Sequence, residues 1–427
     1  MDDRSIIPSR PWRSISMIAW LQWLIVAVLP FVSLALATLA AGMFVSNLSL
    51  FMDGETADAS KANEPDEASQ TNEASPPGVS VLIPARNEEG SIRDCVESIL
   101  QSVQVTLEVI VLDDGSTDQT GAIVRELMQQ DRRVELIEGI DLPEGWNGKQ
   151  HACYRLAQHA KFEHLLFLDA DVRLEPTAII GLCQRRRVLH DGGHIGLLSA
   201  FPRQVTGTLA EKLLIPMMHF ILLSYLPFAR MRGSNHPAYA SGCGQLFFTT
   251  QDAYQAAGTH AAIRSSRHDG LKLPKAYREN GMLTDCVDGS RWAKCRMYTT
   301  TGEVVQGLLK NAHEGIANSR LLIPFTILLG GANLLPWITL AIAFAERSSL
   351  IAEGLPVPTS IVIGILVSWI AILVSYVPRL IAAFRLRQSI AGAILHPIAI
   401  LGFLLIQWWA FWNHLRGRQV TWRGRLG

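Results

Sequence analysis

The sequence lacks several common signatures. None of its six cysteines (Cys95, Cys153, Cys183, Cys243, Cys286, Cys295) falls in a CxxC pair. This gives no zinc spacing and no disulfide framework. Buried reduced thiols and a reducing compartment such as the cytosol fit that pattern. Charge of one sign is also missing: 38 Lys and Arg balance 38 Asp and Glu over 427 residues. A nucleic-acid partner would call for a basic excess. A nucleotide phosphate loop of the GxxxxGK[ST] type is absent too. Trp146-Asn147-Gly148-Lys149 comes nearest, but Pro143 stands at the first glycine position and Gln150 follows the lysine. Hydrophobic residues make up 49 % of the chain, high for a soluble enzyme and low for a protein that is all membrane.

The apolar residues gather at the two ends. Residues 16–52 are nearly free of charge and longer than the about 20 residues that cross a bilayer. With Pro30 inside, the run reads as one long tilted helix or as a tight hairpin. Its length excludes a cleaved signal peptide, so residues 1–52 read as an anchor. Residues 53–78 are rich in Asp, Glu, Ala, Ser and Asn and read as a disordered acidic linker. Residues 320–427 hold three apolar runs (321–345, 360–376, 390–412), with Trp408, Trp409 and Trp412 suited to an interface and a basic tail.

Residues 79–319 read as an α/β domain. Short apolar runs at 79–84, 107–112, 134–137 and 165–168 alternate with helical periodicity, as over 88–101. That alternation predicts βαβ units and a mainly parallel sheet. Ligands bind such sheets at the carboxyl edge of the strands. Residues 213–228 are strongly apolar and read equally as an interfacial helix or a buried core helix.

Three strand ends in a row carry acids. Asp169-Ala170-Asp171 sets two carboxylates one residue apart, where both can face Mg²⁺ or Mn²⁺ together with substrate phosphates. Such a metal would offset charge on a leaving diphosphate. Asp113-Asp114-Gly115-Ser116 ends the second strand; its carboxylates can accept hydrogen bonds from a base or ribose, and an ordinary Asp-Gly turn is the plainer alternative. After the first strand, Asn87 suits a helix N-cap, with Glu88 and Glu89 on the helix dipole. Lys149 can reach a diphosphate as a point charge. His268-Asp269 precedes an apparent helix, so Asp269 is either a general base for an acceptor hydroxyl or an N-cap.

In this order the motifs resemble the family 2 glycosyltransferases of GT-A fold. The matching pieces are Val81-Leu82-Ile83-Pro84-Ala85-Arg86-Asn87-Glu88, Val111-Leu112-Asp113-Asp114-Gly115-Ser116-Thr117-Asp118, Asp169-Ala170-Asp171, Ser241-Gly242-Cys243-Gly244 and His268-Asp269. Leu142-Pro143-Glu144-Gly145-Trp146-Asn147-Gly148-Lys149 and the Arg416-Gly417-Arg418 … Trp422-Arg423-Gly424-Arg425 tail are similar to the membrane subgroup of hopene-associated and carotenoid (diaponeurosporenoate-type) glycosyltransferases. The resemblance implies an inverting, metal-dependent transfer of one sugar from a nucleotide sugar, such as a UDP-sugar, to a lipid or polyisoprenoid acceptor. It implies that Ala85, Glu88, Asp113 and Asp114 hold the nucleotide and that Lys149 lies near the diphosphate. Asp169 would contact ribose or metal, Asp171 the metal, and Asp269 would be the base. Gly242, Gly244 and His268 would shape the acceptor side.

Two positions depart from the pattern. Relatives often carry two acids where this chain has Asp269-Gly270. Processive synthases carry QxxRW, whereas Asp288-Gly289-Ser290-Arg291-Trp292 keeps Arg-Trp without the glutamine. Single transfer is therefore favoured over a polysaccharide synthase, and over a non-catalytic membrane scaffold. The resemblance points to a multi-pass protein of a bacterial-type inner membrane with its catalytic domain in the cytosol. Arg379, Arg385 and Arg387 between the last two runs then lie inside, as the positive-inside rule prefers. The N-terminal Arg4, Arg10 and Arg13 and the arginine-rich tail fit that rule only with a hairpin around Pro30 and a re-entrant last segment broken at His396-Pro397.

Overall fold

A computed structural model of the chain describes residues 23–52, 75–187 and 195–417, and two short strands near the C-terminus. Most of the acidic linker, Arg4, Arg10, Arg13 and much of the basic tail lie outside the described residues. The strands are β1 (Gly78–Ala85), β2 (Thr106–Asp113), β3 (Val134–Glu138), β4 (His164–Leu168), β5 (Val172–Leu174), β6 (Ile195–Phe201), β7 (Arg203–Gln204), β8 (Leu246–Thr250), β9 (Leu283–Asp288), β10 (Ala293–Cys295), β11 (Thr421–Trp422) and β12 (Arg425–Leu426).

The chain divides into two compact units. One comprises residues 39–326 and 376–427, the other residues 1–38 and 327–375. The larger unit is built on a seven-stranded sheet in the order β3-β2-β1-β4-β8-β6-β9. β1, β2, β3 and β4 run parallel, as do β6 and β9, while β8 is antiparallel to both of its neighbours. The central strands are apolar on both faces because helices cover both, as parallel sheets require. Val79, Val81 and Ile83 pack into one core with Ile92, Val96 and Ile99. Leu82, Ile110 and Leu112 pack into the other with Leu156, Leu273 and Tyr277. β5, β10 and β7 form a second, three-stranded sheet, and Trp292 before β10 is buried.

The sheet unit includes more membrane-type helix than the sequence suggests. Expected boundaries at 52 and 320 do not coincide with the unit's own, because residues 39–52 and 376–427 belong to it. Phe44 and Phe51 are fully buried with Phe201, Leu222, Leu223 and Phe228. Asn47 Nδ2 donates to Leu223 O at 2.8 Å and Leu226 O at 2.6 Å, and its Oδ1 accepts from Phe228 N at 3.2 Å. Segment 213–228 spans the end of helix Leu209–Leu214, helix Met217–Tyr225 and the start of Phe228–Arg232, and most of its apolar side chains are buried.

Among the described residues, four helices are long and apolar enough to cross a membrane: Leu24–Met52, Leu335–Ala352, Thr359–Arg385 and His396–Leu415. The N-terminal helix runs through Pro30, so no hairpin forms there. A π-turn at Leu24–Val28 precedes the proline, and such a turn is one way a helix accommodates the missing N–H. Buried positions along it (26, 30, 33, 37, 40, 41, 44, 47, 48, 51, 52) follow steps of three and four with their immediate neighbours, which is one helical face. The run at 321–345 is two helices, Leu322–Asn333 and Leu335–Ala352, with Pro336 opening the second. The last run is likewise interrupted at Leu395, where helix Ile390–Ile394 ends and His396–Leu415 begins. In the smaller unit, Val26 packs with Ala343 and Ile361, and Thr339 Oγ1 lies 2.9 Å from Ser368 Oγ in a buried pair.

Candidate active site

The ends of β1, β2 and β4 meet at one edge of the sheet. Ala85, the last residue of β1, is in register with Asp113, the last of β2. Ala85 O accepts from Asp114 N at 2.8 Å, and Arg86 donates to Asp114 O. The two loops that follow are zipped together by short polar side chains. Asn87 N donates to Ser116 Oγ at 2.9 Å, Thr117 N to Asn87 Oδ1 at 2.8 Å, and Glu88 N to Thr120 Oγ1 at 2.8 Å. Asn87 is therefore not a helix cap. It sits at φ 54°, a left-handed conformation that asparagine tolerates, and the helix begins later, at Ile92 after Ser91. Asp113 is mostly buried; its Oδ1 accepts from Ser116 N at 2.9 Å. Its other oxygen lies where a side chain at Gly121 would fall, so glycine there lets the next helix close onto it.

Asp169 follows β4 and is fixed by its own N–H, which donates to Gln245 O at 3.0 Å. Lys149 comes from the other side. It lies in the first turn of helix Gly148–His159, whose N-cap Asn147 accepts from Lys149 N at 3.1 Å. Asp269 opens helix Asp269–Glu279, and His268, not Asp269, is the cap residue. Lys149 Nζ joins them: it lies 2.6 Å from Asp169 Oδ1 and 2.9 Å from Asp269 Oδ2, and donates to Gly244 O at 3.2 Å. All three side chains are partly exposed.

The charges sort these acids into different roles. Burial pushes Asp169 up to about 6; Lys149 opposes this, and the nearby Asp171 and Asp269 carboxylates reinforce it. Burial acts in the same direction on Asp269, but the Lys149 ammonium outweighs it and holds the carboxyl at about 2. For Lys149, burial works downward and the two carboxylates outweigh it, so its pKa is raised well above the ordinary lysine value. Burial also lowers His268.

The glycines make the close approach possible. A Cβ at Gly244 would meet Asp269 Cγ at 2.6 Å and Oδ2 at 2.7 Å, and Oδ1 more closely still. A Cβ at Gly242 would lie 2.8 Å from the Phe247 ring, and one at Gly270 would lie 2.6 Å from Gly242 O. Two structural residues of the site go unnoticed in the sequence. Gln245 is buried and accepts from Gln204 Nε2 at 2.8 Å, while its own Nε2 lies 2.8 Å from Cys295 Sγ. Glu314 accepts from Arg267 N at 2.7 Å and from Ser266 Oγ at 2.5 Å, anchoring the loop before Asp269. A glutamine opening an apolar strand was the available signal for the first; nothing local marks Glu314.

Residues 80–186 match the model of the "Glycosyl transferase family 2" family. Among similar proteins is a 4,4'-diaponeurosporenoate glycosyltransferase of Staphylococcus aureus (strain USA300), 27 % identical over 359 residues, or 81 % of this chain and 87 % of the relative. Another of that name, from strain MRSA252, is 29 % identical over 256 residues, or 59 % of this chain and 65 % of the relative. Among solved structures, a mannosyltransferase from Pyrobaculum calidifontis in complex with GDP-Man and Mn²⁺ aligns with a TM-score of 0.48 at 16 % identity, covering 92 % of this chain and 100 % of that one. The mixed, mainly parallel sheet is the one that a GT-A fold implies. With acids converging on its carboxyl edge inside the matched region, the chain carries a family 2 glycosyltransferase domain over residues 80–186.

Proposed function

We propose that the chain transfers a single sugar, with inversion, from a nucleotide-sugar donor to a lipid or polyisoprenoid acceptor at a membrane. The convergence of Lys149, Asp169 and Asp269 carries this reading. Ala85, Glu88, Asp113 and Asp114 form the nucleotide end of the edge, with Asp113 acting mainly as a brace for its loop. Asp171 and Asp169 are the oxygen donors for Mg²⁺ or Mn²⁺. Among the described residues no group of three or more His, Cys, Asp or Glu gathers to hold a metal. Two carboxylates therefore fit a cation that takes its remaining ligands from a diphosphate and water. Such a metal would supply positive charge against the leaving diphosphate.

The protein's own residues do the rest. Lys149 offers a mobile positive charge to the diphosphate. When it turns toward that ligand, Asp269 loses its ion-pair partner and becomes a stronger base for the acceptor hydroxyl. The names of the relatives support a polyisoprenoid acceptor of the carotenoid type. The four apolar helices support a multi-pass protein of a bacterial inner membrane, with the glycosyltransferase domain of residues 79–319 on the cytosolic side.

The test is transfer from a panel of radiolabelled nucleotide sugars into extracted lipid, using membranes that hold the wild type or Asp171→Ala. One sugar should enter lipid, only with added metal and only with the wild type. Undiminished transfer by Asp171→Ala would end the metal assignment.

A further inference from the structure

The last membrane-type helix reaches the loop before Asp269 through two consecutive residues. Helix Thr301–Ala312 packs along helix His396–Leu415, and the chain then closes into a tight turn. Ala317 N donates to Ala312 O at 2.8 Å, Asn318 Nδ2 donates to Gly315 O at 2.6 Å, and His313 Nδ1 lies 3.2 Å from Ala317 O. Neighbouring side chains of this turn take different partners. The His313 ring lies face to face with that of His414, in the last turn of the membrane-type helix, with centroids 3.5 Å apart and planes 21° apart. The next residue, Glu314, accepts from Arg267 N on one oxygen and from Ser266 Oγ on the other.

Those contacts bear on the helix that carries Asp269. Ser266 Oγ, held by Glu314, accepts from His268 N at 3.0 Å, and His268 is the N-cap residue of helix Asp269–Glu279. Residues 266, 267 and 268 are thus tied, directly or through Ser266, to one carboxylate. At the other end of the loop, Arg264 O accepts from Asn147 N at 2.6 Å, beside the first turn that holds Lys149. The turn is gripped downstream as well, where Trp408 Nε1 donates to Thr326 Oγ1 at 3.1 Å. Trp408 and His414 belong to one helix, so that helix holds the chain on both sides of Glu314. Close-packed contacts pass a displacement on rather than absorb it, and hydrogen bonds to a carboxylate are of the strong, charge-assisted kind.

We infer that helix His396–Leu415 positions the base, with His414, His313 and Glu314 as the path. The three are positioning residues, acting on Asp269 through Ser266 and His268. Because this helix is long and apolar enough to cross a membrane, its seating in the bilayer becomes a condition for turnover. The inference rests on Asp269 being the base of the transfer.

The test begins with amide hydrogen exchange of the full-length protein in detergent, read by mass spectrometry, which needs no substrate. His414→Ala removes the stack and His414→Phe keeps a ring in its place. His414→Ala should speed exchange over residues 264–270 by about tenfold or more and leave β1 and β2 unchanged, and His414→Phe should restore the protection. A merely local packing role would speed exchange only around residues 310–318 and 408–417. Transfer from UDP-glucose to extracted membrane lipid is then the probe of turnover. His414→Ala should lower kcat by about tenfold or more with KM for the donor within about twofold, and His414→Phe should recover most of it. Should His414→Ala fail to fold, Glu314→Gln tests the other end of the path. A carboxamide offers one acceptor oxygen where two donors arrive, so the same amides and the same kcat should respond. Unchanged exchange over residues 264–270, or no recovery in His414→Phe, would overturn the inference. Faster exchange with unchanged kcat would leave the link standing and remove Asp269 from the chemistry. A lower kcat with unchanged exchange would do the reverse. The exchange measurement decides the link whichever sugar the protein uses.

Discussion

Gly244→Ala measures how tightly the centre is built. Gly244 has no left-handed backbone requirement, so the effect of a methyl group is steric alone. The added Cβ would sit 2.6 Å from Asp269 Cγ, whereas ordinary contact begins at 3.4 Å. Asp269 must therefore retreat by at least about 0.8 Å, and more at Oδ1, its nearest atom. The start of its helix has little room to follow, since even a Cβ at Gly270 would lie 2.6 Å from Gly242 O. The side chain alone moves, and its 2.9 Å pair with Lys149 is lost. Misplacement of a reacting group by about 1 Å costs on the order of 100-fold in rate. That corresponds to about 3 kcal/mol in the barrier. The expected outcome is a fall in kcat of about 100-fold. Binding of uridine diphosphate should stay within about twofold, because Ala85, Glu88 and Asp114 lie at another part of the edge. Single-turnover kinetics and equilibrium nucleotide binding, on protein with unchanged circular dichroism, make the comparison. A kcat within threefold of wild type would refute the assignment of Asp269 to the reacting centre.

Other perturbations separate structure from chemistry. In wild type, Asp269 is depressed to about 2, so its ion pair stabilises the fold above the unfolded carboxyl range near pH 4 and is lost as pH falls through 2. Lys149→Met should remove that contribution, and melting curves between pH 2 and 6 should show a weaker acid limb of stability only in wild type. Asp169 works the other way: raised to about 6, it favours the fold while protonated and loses that advantage as pH rises from about 4 through 6, so Asp169→Asn should melt higher than wild type at pH 7. Asn47→Ala deletes three hydrogen bonds between the N-terminal helix and the backbone of residues 223, 226 and 228; at about 1 kcal/mol each, a loss of about 3 kcal/mol should appear as a lower denaturation midpoint. Asp285 is 1 % exposed and pairs with Arg185 at 3.2 Å and Arg232 at 3.0 Å, so Asp285→Ala, which leaves buried arginine unpaired, should cost about 3–5 kcal/mol and be read by the same denaturation.

Much of the fold and part of the site were legible in the chain itself. Alternating apolar runs and helical periodicity dictate a mainly parallel sheet, because strands covered on both faces must be apolar throughout. Parallel strands then end on a common edge, so acids written after β1, β2 and β4 had to meet there. The long apolar runs dictate helices for the same reason: backbone polar groups away from water must be satisfied within the segment. Other relations join residues far apart in sequence, and no local pattern encodes them. Lys149, Asp169 and Asp269 are brought together only by packing one helix across the sheet and another behind it. Gln245 and Glu314 act as supports only because their loops pass beneath the centre. Asn47 and the turn at Asn87 read in isolation as an incidental polar residue and a helix cap. Tertiary structure decided otherwise, because the meaning of a polar side chain is set by whichever partners burial leaves within its reach.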